Sequence, residues 1–155
     1  MKKYFSNNKG FTLVELMVVI AIIAILTGVI IVSVSGARGK ARDGKRVSDI
    51  SQIQLALEQY FDRCRVYPAT LALTATHTNC PVGVTLATFI AVIPKDPVSA
   101  SNYDYAVDNA TTPLDYVLHT TLESPNGAIV DGLSVDLYGS KTCNPTDKDY
   151  CVGPK

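Results

Sequence analysis

A run of 24 residues from Phe11 to Val34 constrains this chain more than any other feature of its sequence. Glu15 is the only charged residue in the run, and the other polar side chains are Thr12, Thr27 and Ser33. A helix of this length spans roughly 36 Å, at about 1.5 Å per residue, which is enough to cross a hydrocarbon core of about 30 Å. The run therefore predicts a helix that inserts in a membrane.

Basic residues flank the apolar run on both sides, so charge alone gives no clear orientation. They are Lys2, Lys3 and Lys9 before it, and Arg38, Lys40, Arg42, Lys45 and Arg46 after it. Counted alone, these residues favour a cytoplasmic C-terminal side. The net charge of the whole chain is zero, so we expect no overall electrostatic attraction to nucleic acid or to acidic substrates.

The cysteines favour the opposite orientation, because all of them follow the apolar run. Cys64, Cys80, Cys143 and Cys151 form an even set without CxxC spacing, and neither histidine completes a zinc-ligand spacing with them. We therefore predict two disulfides and an oxidising, extracytoplasmic setting for this part of the chain. Four cysteines allow three pairings, and among them we favour the short-loop solution, Cys64–Cys80 with Cys143–Cys151.

The N-terminus differs from a cleaved secretory signal peptide. Its apolar run exceeds the usual length of about 7–15 residues, and no convincing small-x-small cleavage site follows. A simple signal anchor explains everything except Glu15, because a carboxylate at mid-bilayer costs roughly 2.5–3.5 kcal/mol. Near the helix end this side chain can reach the interface, but the run holds no basic residue to pair with it.

The segment Lys9-Gly10-Phe11-Thr12-Leu13-Val14-Glu15, with the apolar run behind it, resembles the processing site of type IV prepilins and pseudopilins. In that family a membrane peptidase, the prepilin peptidase, cuts after the glycine and N-methylates the new first residue. The resemblance implies a leader at Met1–Gly10, cleavage between Gly10 and Phe11, and methylation of Phe11. Glycine suits the cut because a side chain there would obstruct the peptidase. Glu15 becomes the fifth residue of the mature chain, where the family has its glutamate.

The resemblance also implies an assembly role for Glu15. The family's assembly scheme places the amine freed by cleavage against the glutamate of a neighbouring subunit. Such a pair is strong only when both members are present, since an orphaned buried charge is costly. We therefore expect Glu15 to fix the register between subunits rather than to catalyse a reaction. The implied partners are further copies of the chain, the prepilin peptidase, membrane lipid, and an inner-membrane assembly platform with its ATPase.

Beyond Gly44 the sequence predicts an amphipathic continuation of the helix. Val47, Ile50, Ile53, Leu57, Tyr60 or Phe61, and Cys64 recur at spacings of three and four, and polar residues such as Asp49 and Glu58 lie mostly off this stripe. Pro68 disfavours helical geometry at Tyr67, so the helix should end near Val66. The predicted divisions are a leader at 1–10, a transmembrane and assembly helix at 11–36, its amphipathic continuation at 37–67, and an extracytoplasmic domain at 68–155.

The last of these divisions predicts a small antiparallel sheet. Its strand candidates, each with partial alternation, are Tyr103–Val107, Tyr116–Leu122 and Gly132–Tyr138. Thr85–Val92 predicts a helical turn or two, and the two prolines of Ile93–Pro97 predict a rigid turn. About three strands laid against the apolar stripe of the long helix give a two-layer α+β fold.

Little in the sequence points to catalysis or to a cofactor. It contains no Ser-His-Asp set, nucleotide-binding loop or HExxH motif that we can identify, and we expect His77 and His119 to be structural or exposed. Asp131 and Asp136 are weak calcium candidates, because major pseudopilins often bind calcium in a C-terminal loop. Their spacing does not reproduce an EF-hand, and solvated acids are the favoured interpretation.

The leading functional hypothesis is a subunit of a type IV pilus-like filament, and the alternative is a pseudopilin of a type II secretion system that drives protein export. We call the two nearly even. A distant alternative is a signal-anchored extracytoplasmic binding or enzyme domain. We expect no enzymatic activity, and a single-pass protein of the cytoplasmic membrane that joins a periplasmic or cell-surface filament. The basic cluster at Arg38–Arg46 has three open interpretations: contact with lipid headgroups, contact with acids of adjacent subunits, or solvation.

Overall fold

The computed structural model describes residues 10–124, 136–137, 141–143 and 148–154, with the backbone alone for 29–35, 136–137 and 141–142. The chain divides into two compact units, Met1–Arg38 and Gly39–Lys155. Helix α1 runs over Leu13–Cys64, and a short 3-10 helix follows at Leu86–Thr88. The strands are β1 Asp104–Val107, β2 Tyr116–Thr121, β3 Asp136–Leu137, β4 Lys141–Thr142 and β5 Asp149–Val152.

Helix α1 ends two residues before the predicted position. Arg65 adopts a left-handed backbone conformation with a φ of 60°, the geometry that commonly terminates helices. Its N–H still donates to the carbonyl of Phe61 at 2.7 Å. Pro68 follows and prevents the helix from resuming.

Strands β1, β2 and β5 form an antiparallel sheet in that order, and β3 pairs with β4 separately. The predicted α+β fold with a small three-stranded sheet is confirmed. The third strand of this sheet is not the predicted segment Gly132–Tyr138 but Asp149–Val152, which lies beside β2. Only residues 136–137 of the predicted segment are described, and they belong to the two-stranded ladder.

The core lies between the second part of α1 and one face of this sheet. The predicted apolar stripe supplies its helix side, with Ile50, Ile53, Leu57, Tyr60 and Cys64 all buried. Tyr116 and Leu118 contribute from the central strand β2. Because side chains alternate along a strand, Val117 points to the opposite face, where it packs against Cys143 and Cys151.

Two disulfides join the loops to this framework. Cys64, the last residue of α1, is bonded to Cys80, and Cys143 is bonded to Cys151 of β5. These are the short-loop pairs. The first ties the long loop after the helix to the helix end, and the second covers the outer face of the sheet beside Val117.

Candidate assembly site

The first turn of α1 is closed by a reciprocal pair of side chains. The backbone N–H and the hydroxyl of Thr12 both donate to Oε2 of Glu15, at 2.8 and 2.7 Å. The N–H of Glu15 donates in return to the Thr12 hydroxyl at 3.3 Å. This arrangement is a capping box, which satisfies backbone donors that have no partner within the helix.

The capping box supplies a partner for Glu15 that the sequence analysis missed. The expected partner was a basic side chain, and the apolar run contains none. The partner is instead a hydroxyl and a backbone N–H three residues earlier. The signal was present in the sequence, because Thr12-Leu13-Val14-Glu15 fits the Ser/Thr-x-x-Glu pattern of a capping box directly before an apolar run.

The predicted cleavage site is exposed. Both Gly10 and Phe11 are accessible, and Phe11 retains 92% of its surface. A β-carbon added at Gly10 would meet no atom within 4 Å. The fold of the chain therefore does not itself require glycine at this position. Residues 1–9 of the predicted leader lie outside the described residues.

Helix α1 presents large apolar side chains in every direction over its first turns. From Phe11 to Leu26, each of these side chains keeps between 51% and 92% of its surface exposed. A helix that is apolar all round is normally buried by other helices or by lipid. Burial of this surface must therefore come from outside the unit that contains it.

The membrane-spanning segment predicted at 11–36 includes residues 29–35, whose side chains lie outside the described residues. Within the described part of the chain, no helix combines the length and the apolar content needed to cross a membrane.

A second cluster, in the unit that begins at Gly39, is built around the guanidinium of Arg46. Its side chain is only 5% exposed, and it contacts three carboxylates. Nε donates to Asp96 at 2.6 Å, while Nη1 donates to Asp43 at 2.8 Å and to Glu123 at 3.0 Å. Helix α1, the turn at Ile93–Pro97 and the segment after β2 therefore meet at one buried cation.

Hydrogen bonds to the surrounding acids keep them ionised. Burial works to raise the pKa of Asp43, but the backbone N–H groups of Glu123 and Ser124 and the guanidinium of Arg46 together hold it below its ordinary value. The hydrogen bond from Arg42 lowers the pKa of Glu123 to about 2. The hydrogen bond from Arg46 holds the pKa of Asp96 well below its usual range.

These contacts correct the interpretation of the basic cluster at Arg38–Arg46. Arg42 donates through Nε to Glu123 at 2.7 Å, and Arg46 is buried among acids of the same chain. Both guanidinium groups therefore bind acids of their own chain, and neither is simply solvated. Asp49 also departs from its predicted place off the buried stripe, because it is buried and accepts a hydrogen bond from the hydroxyl of Tyr103 at 2.9 Å.

The two histidines lie in different settings. His77 is half-buried in the loop after α1, and its Nε2 lies 2.8 Å from the carbonyl oxygen of Thr111. His119 lies in the central strand between two carboxylates, 3.1 Å from Asp104 and 3.1 Å from Asp149. Sequence reasoning missed the grouping of His119 with Asp104 and Asp149, because these residues lie on three different strands.

The calcium candidates stay a prediction. Asp131 lies outside the described residues, and only the backbone of Asp136 is described. Among the side chains that the structure does describe, no group of three or more His, Cys, Asp or Glu residues is placed to hold a metal ion.

Comparison with known proteins brings these features together. A family model described as the prokaryotic N-terminal methylation motif matches residues 5–31, which include Gly10, Phe11 and Glu15. The type II secretion system core protein G of Vibrio cholerae is 36% identical over 110 residues, covering 68% of this chain and 74% of that protein. The protein of the same name from Escherichia coli is 35% identical over 97 residues, covering 59% and 67%.

A third relative is a pilus component. The type IV wide pilus major component of Thermus thermophilus is 60% identical over 37 residues, which cover 24% of this chain and 28% of that protein. No solved structure matches the chain.

Proposed function

The chain belongs to the superfamily of type IV pilins and type II secretion pseudopilins, and from this premise we propose that it is a structural filament subunit. In this proposal the subunit first inserts in the membrane through its apolar N-terminal helix. It is then cut between Gly10 and Phe11, methylated at Phe11, and polymerised through the same helix. The role requires binding surfaces and no catalytic residue, and the energy for assembly would come from a separate ATPase.

The observation that carries the proposal is the exposed apolar surface of α1 between Phe11 and Leu26. Burying such side chains yields roughly 25 cal/mol per Å² of apolar surface removed from water. Large exposed apolar surfaces mark sites of contact with protein or membrane. A filament of parallel copies supplies such a contact along the whole segment, and lipid supplies it before assembly.

Glu15 is placed to fix the register between the N-terminal helices of neighbouring subunits. Both hydrogen bonds from Thr12 go to Oε2, and among the described residues Oε1 accepts none. The capping box therefore orients the carboxylate while one oxygen is left for the methylated amine of a neighbouring Phe11. In an apolar surrounding, a subunit shifted along its neighbour would leave both charges without partners, which is costly.

Between the two filament types, we propose the secretion pseudopilin as the first choice. The supporting observation is coverage: the similarity to the secretion core protein of Vibrio cholerae extends over 74% of that protein. The similarity to the pilus component is higher in identity but covers only 28% of it. The surface pilus remains the second candidate, favoured by the second disulfide, which resembles the cysteine-bounded C-terminal loop of many type IV pilins.

The test is complementation in the host of this chain after deletion of its gene. Wild-type chain, Glu15→Gln and the control Asp62→Asn are each expressed, Asp62 being an exposed acid on the same helix. We expect wild type and Asp62→Asn to restore export of secreted proteins, and Glu15→Gln to accumulate in membranes without filaments. Filaments formed equally by Glu15→Gln would contradict the assembly role. Restored surface fibres with unchanged export would replace the secretion proposal by the pilus.

A further inference from the structure

The loop between β1 and β2 carries a motif that the filament role does not use. Asn109-Ala110-Thr111 fits Asn-x-Ser/Thr, in which x is any residue except proline, and this is the acceptor sequence for N-linked glycans. It occurs once in the chain. Asn144-Pro145-Thr146 has the same outer residues, but its central proline excludes it as an acceptor. The sequence therefore offers a single acceptor, Asn109.

The structure places this motif on the surface. Residues 108–112 follow β1 directly and are exposed without interruption, and they include all three residues of the motif. A glycan is bulky and hydrophilic and needs a surface site. Surface loops tolerate such additions better than the elements they connect, because they contribute little to the core. A glycan on Asn109 would therefore extend into solvent without displacing the core.

The hydrogen bonds of the loop leave the amide nitrogen of Asn109 accessible. The backbone N–H of Thr111 donates to Oδ1 of Asn109 at 2.8 Å, which forms an Asx-turn. A carboxamide has one acceptor oxygen and one NH₂ group. The oxygen is bound by the turn, whereas Nδ2 donates to no atom of the described residues. The turn also holds Thr111 next to the carboxamide, so that one enzyme can contact both side chains.

Two contacts fix where the motif lies within its unit. Tyr67, three residues after α1 ends, donates from its backbone N–H to the carbonyl oxygen of Pro113 at 2.8 Å. Nε2 of His77, in the loop after α1, lies 2.8 Å from the carbonyl oxygen of Thr111. The motif therefore lies near the C-terminal end of α1, whereas the helix enters this unit at Gly39. At about 1.5 Å per residue, these two ends of the helix lie roughly 38 Å apart.

We propose that Asn109 is the attachment site of an N-linked glycan. This inference rests on the proposed function for the extracytoplasmic setting of the unit, where a membrane-bound oligosaccharyltransferase would meet it. The second reactant is a glycan linked to a lipid through pyrophosphate. Nδ2 of Asn109 attacks the anomeric carbon of the first sugar and forms a bond to it. The bond from that carbon to the pyrophosphate oxygen breaks, the lipid pyrophosphate leaves, and Nδ2 gives one proton to a base of the transferase.

A glycan at this position leaves the proposed assembly surface free. The exposed apolar side chains between Phe11 and Leu26 belong to the unit Met1–Arg38, whereas Asn109 belongs to the unit that begins at Gly39. Variants that lose the glycan should therefore still be cut by the prepilin peptidase and still assemble. This separates the glycan from the filament role in an experiment.

The test is peptide mapping by mass spectrometry of the full chain recovered from membranes of its host. We expect the peptide that contains Asn109 to be heavier than its sequence by a whole number of sugar residues. Asn109→Asp removes the acceptor nitrogen but keeps an oxygen for the N–H of Thr111, so it should lose the added mass and keep the fold. Thr111→Val should also lose it, and Thr111→Ser should retain it. The matched control is Thr112→Val, an exposed threonine one residue beyond the motif, which should retain the added mass.

The N-terminal peptide of the same preparation distinguishes failure of this inference from failure of the proposed function. A chain that begins at Phe11 but has an unmodified Asn109 peptide would overturn the glycan and leave the filament role intact. A modified Asn109 peptide in a chain that still begins at Met1 would support the glycan and contradict the filament role. Equal loss of the added mass in Thr111→Val and Thr112→Val would show that the motif does not direct the modification, and would also overturn the inference.

Discussion

Replacing Arg46 by methionine tests whether the buried ion cluster stabilises the folded unit Gly39–Lys155. The substitution keeps an unbranched side chain in place and removes the cation that contacts Asp43, Asp96 and Glu123. The three acids remain, and they no longer share a positive charge. Since Arg46 and Asp43 are almost completely buried, water can replace little of the lost interaction.

The expected loss of unfolding free energy depends on the hydrogen bonds that the three acids retain. Removing one member of a buried ion pair typically costs about 3–5 kcal/mol. Asp43 keeps two backbone donors, the N–H groups of Glu123 and Ser124, which places the expected loss near the lower end, about 3 kcal/mol. The unit contains 117 residues, from 39 to 155, so its unfolding entropy near Tm is roughly 250 cal/mol/K. Tm should fall by about 12 °C.

The assay is thermal unfolding of the full chain in detergent, followed by tyrosine fluorescence because the chain has eight tyrosines and no tryptophan. Lys45→Met is the matched control. Lys45 precedes Arg46 and pairs with Asp49, but its side chain is 57% exposed, so its loss should cost at most about 1 kcal/mol. Arg46→Lys should fall between the two, because a lysine cannot donate in three directions from a planar fork. Equal Tm values for Arg46→Met and Lys45→Met would refute the reasoning.

Three further outcomes follow from the same structure. Leu57→Ala should lower the free energy of unfolding in urea by about 3 kcal/mol, whereas Leu55→Ala, at a side chain 60% exposed, should change it by less than about 0.5 kcal/mol. Thr12→Val should destabilise the first turn of α1 by about 1 kcal/mol, seen as faster amide exchange there, and Thr12→Ser should restore protection. Because the pKa of Glu123 is lowered from 4.5 to about 2, its stabilising contribution is complete above pH 4.5 and is lost as the pH falls towards 2. In an acid titration followed by near-UV circular dichroism, Glu123→Gln should lack the part of the unfolding transition that Glu123 causes in the wild type. An acid transition of Glu123→Gln identical to that of the wild type would contradict this assignment.

The apolar half of the fold could be predicted from the sequence because it depends on periodicity. Residues that recur every three or four positions lie on one helix face, and this periodicity alone predicts Ile50, Ile53 and Leu57 in the core, where they are buried. The helix end could be placed within two residues because Pro68 excludes continuation for a local reason.

The polar half could not be predicted in the same way. Asp43, Arg46 and Asp49 are spaced by three along α1 and are all buried, but charged residues at such positions usually indicate a solvated face. What buries Arg46 lies far along the chain, 50 residues away at Asp96 and 77 residues away at Glu123. No local pattern reports partners at that distance.

The third strand was misplaced for a related reason. Asp149–Val152 is only four residues long, and its apolar members Tyr150 and Val152 give little alternation to detect. It is fixed by pairing with β2 and by the disulfide of Cys151 to Cys143. Both are contacts of the folded chain, so a sequence pattern cannot rank this segment above the longer candidate Gly132–Tyr138.

The most direct test of the filament account is the intact mass and N-terminal sequence of the chain recovered from membranes of its host. Processing as a pilin-type subunit predicts a mature chain that begins at Phe11 and whose N-terminal peptide is heavier than its sequence by one methyl group. A chain that still begins at Met1, in a host with active prepilin peptidase, would contradict the account. The exposed apolar helix would then have to be explained as a simple membrane anchor.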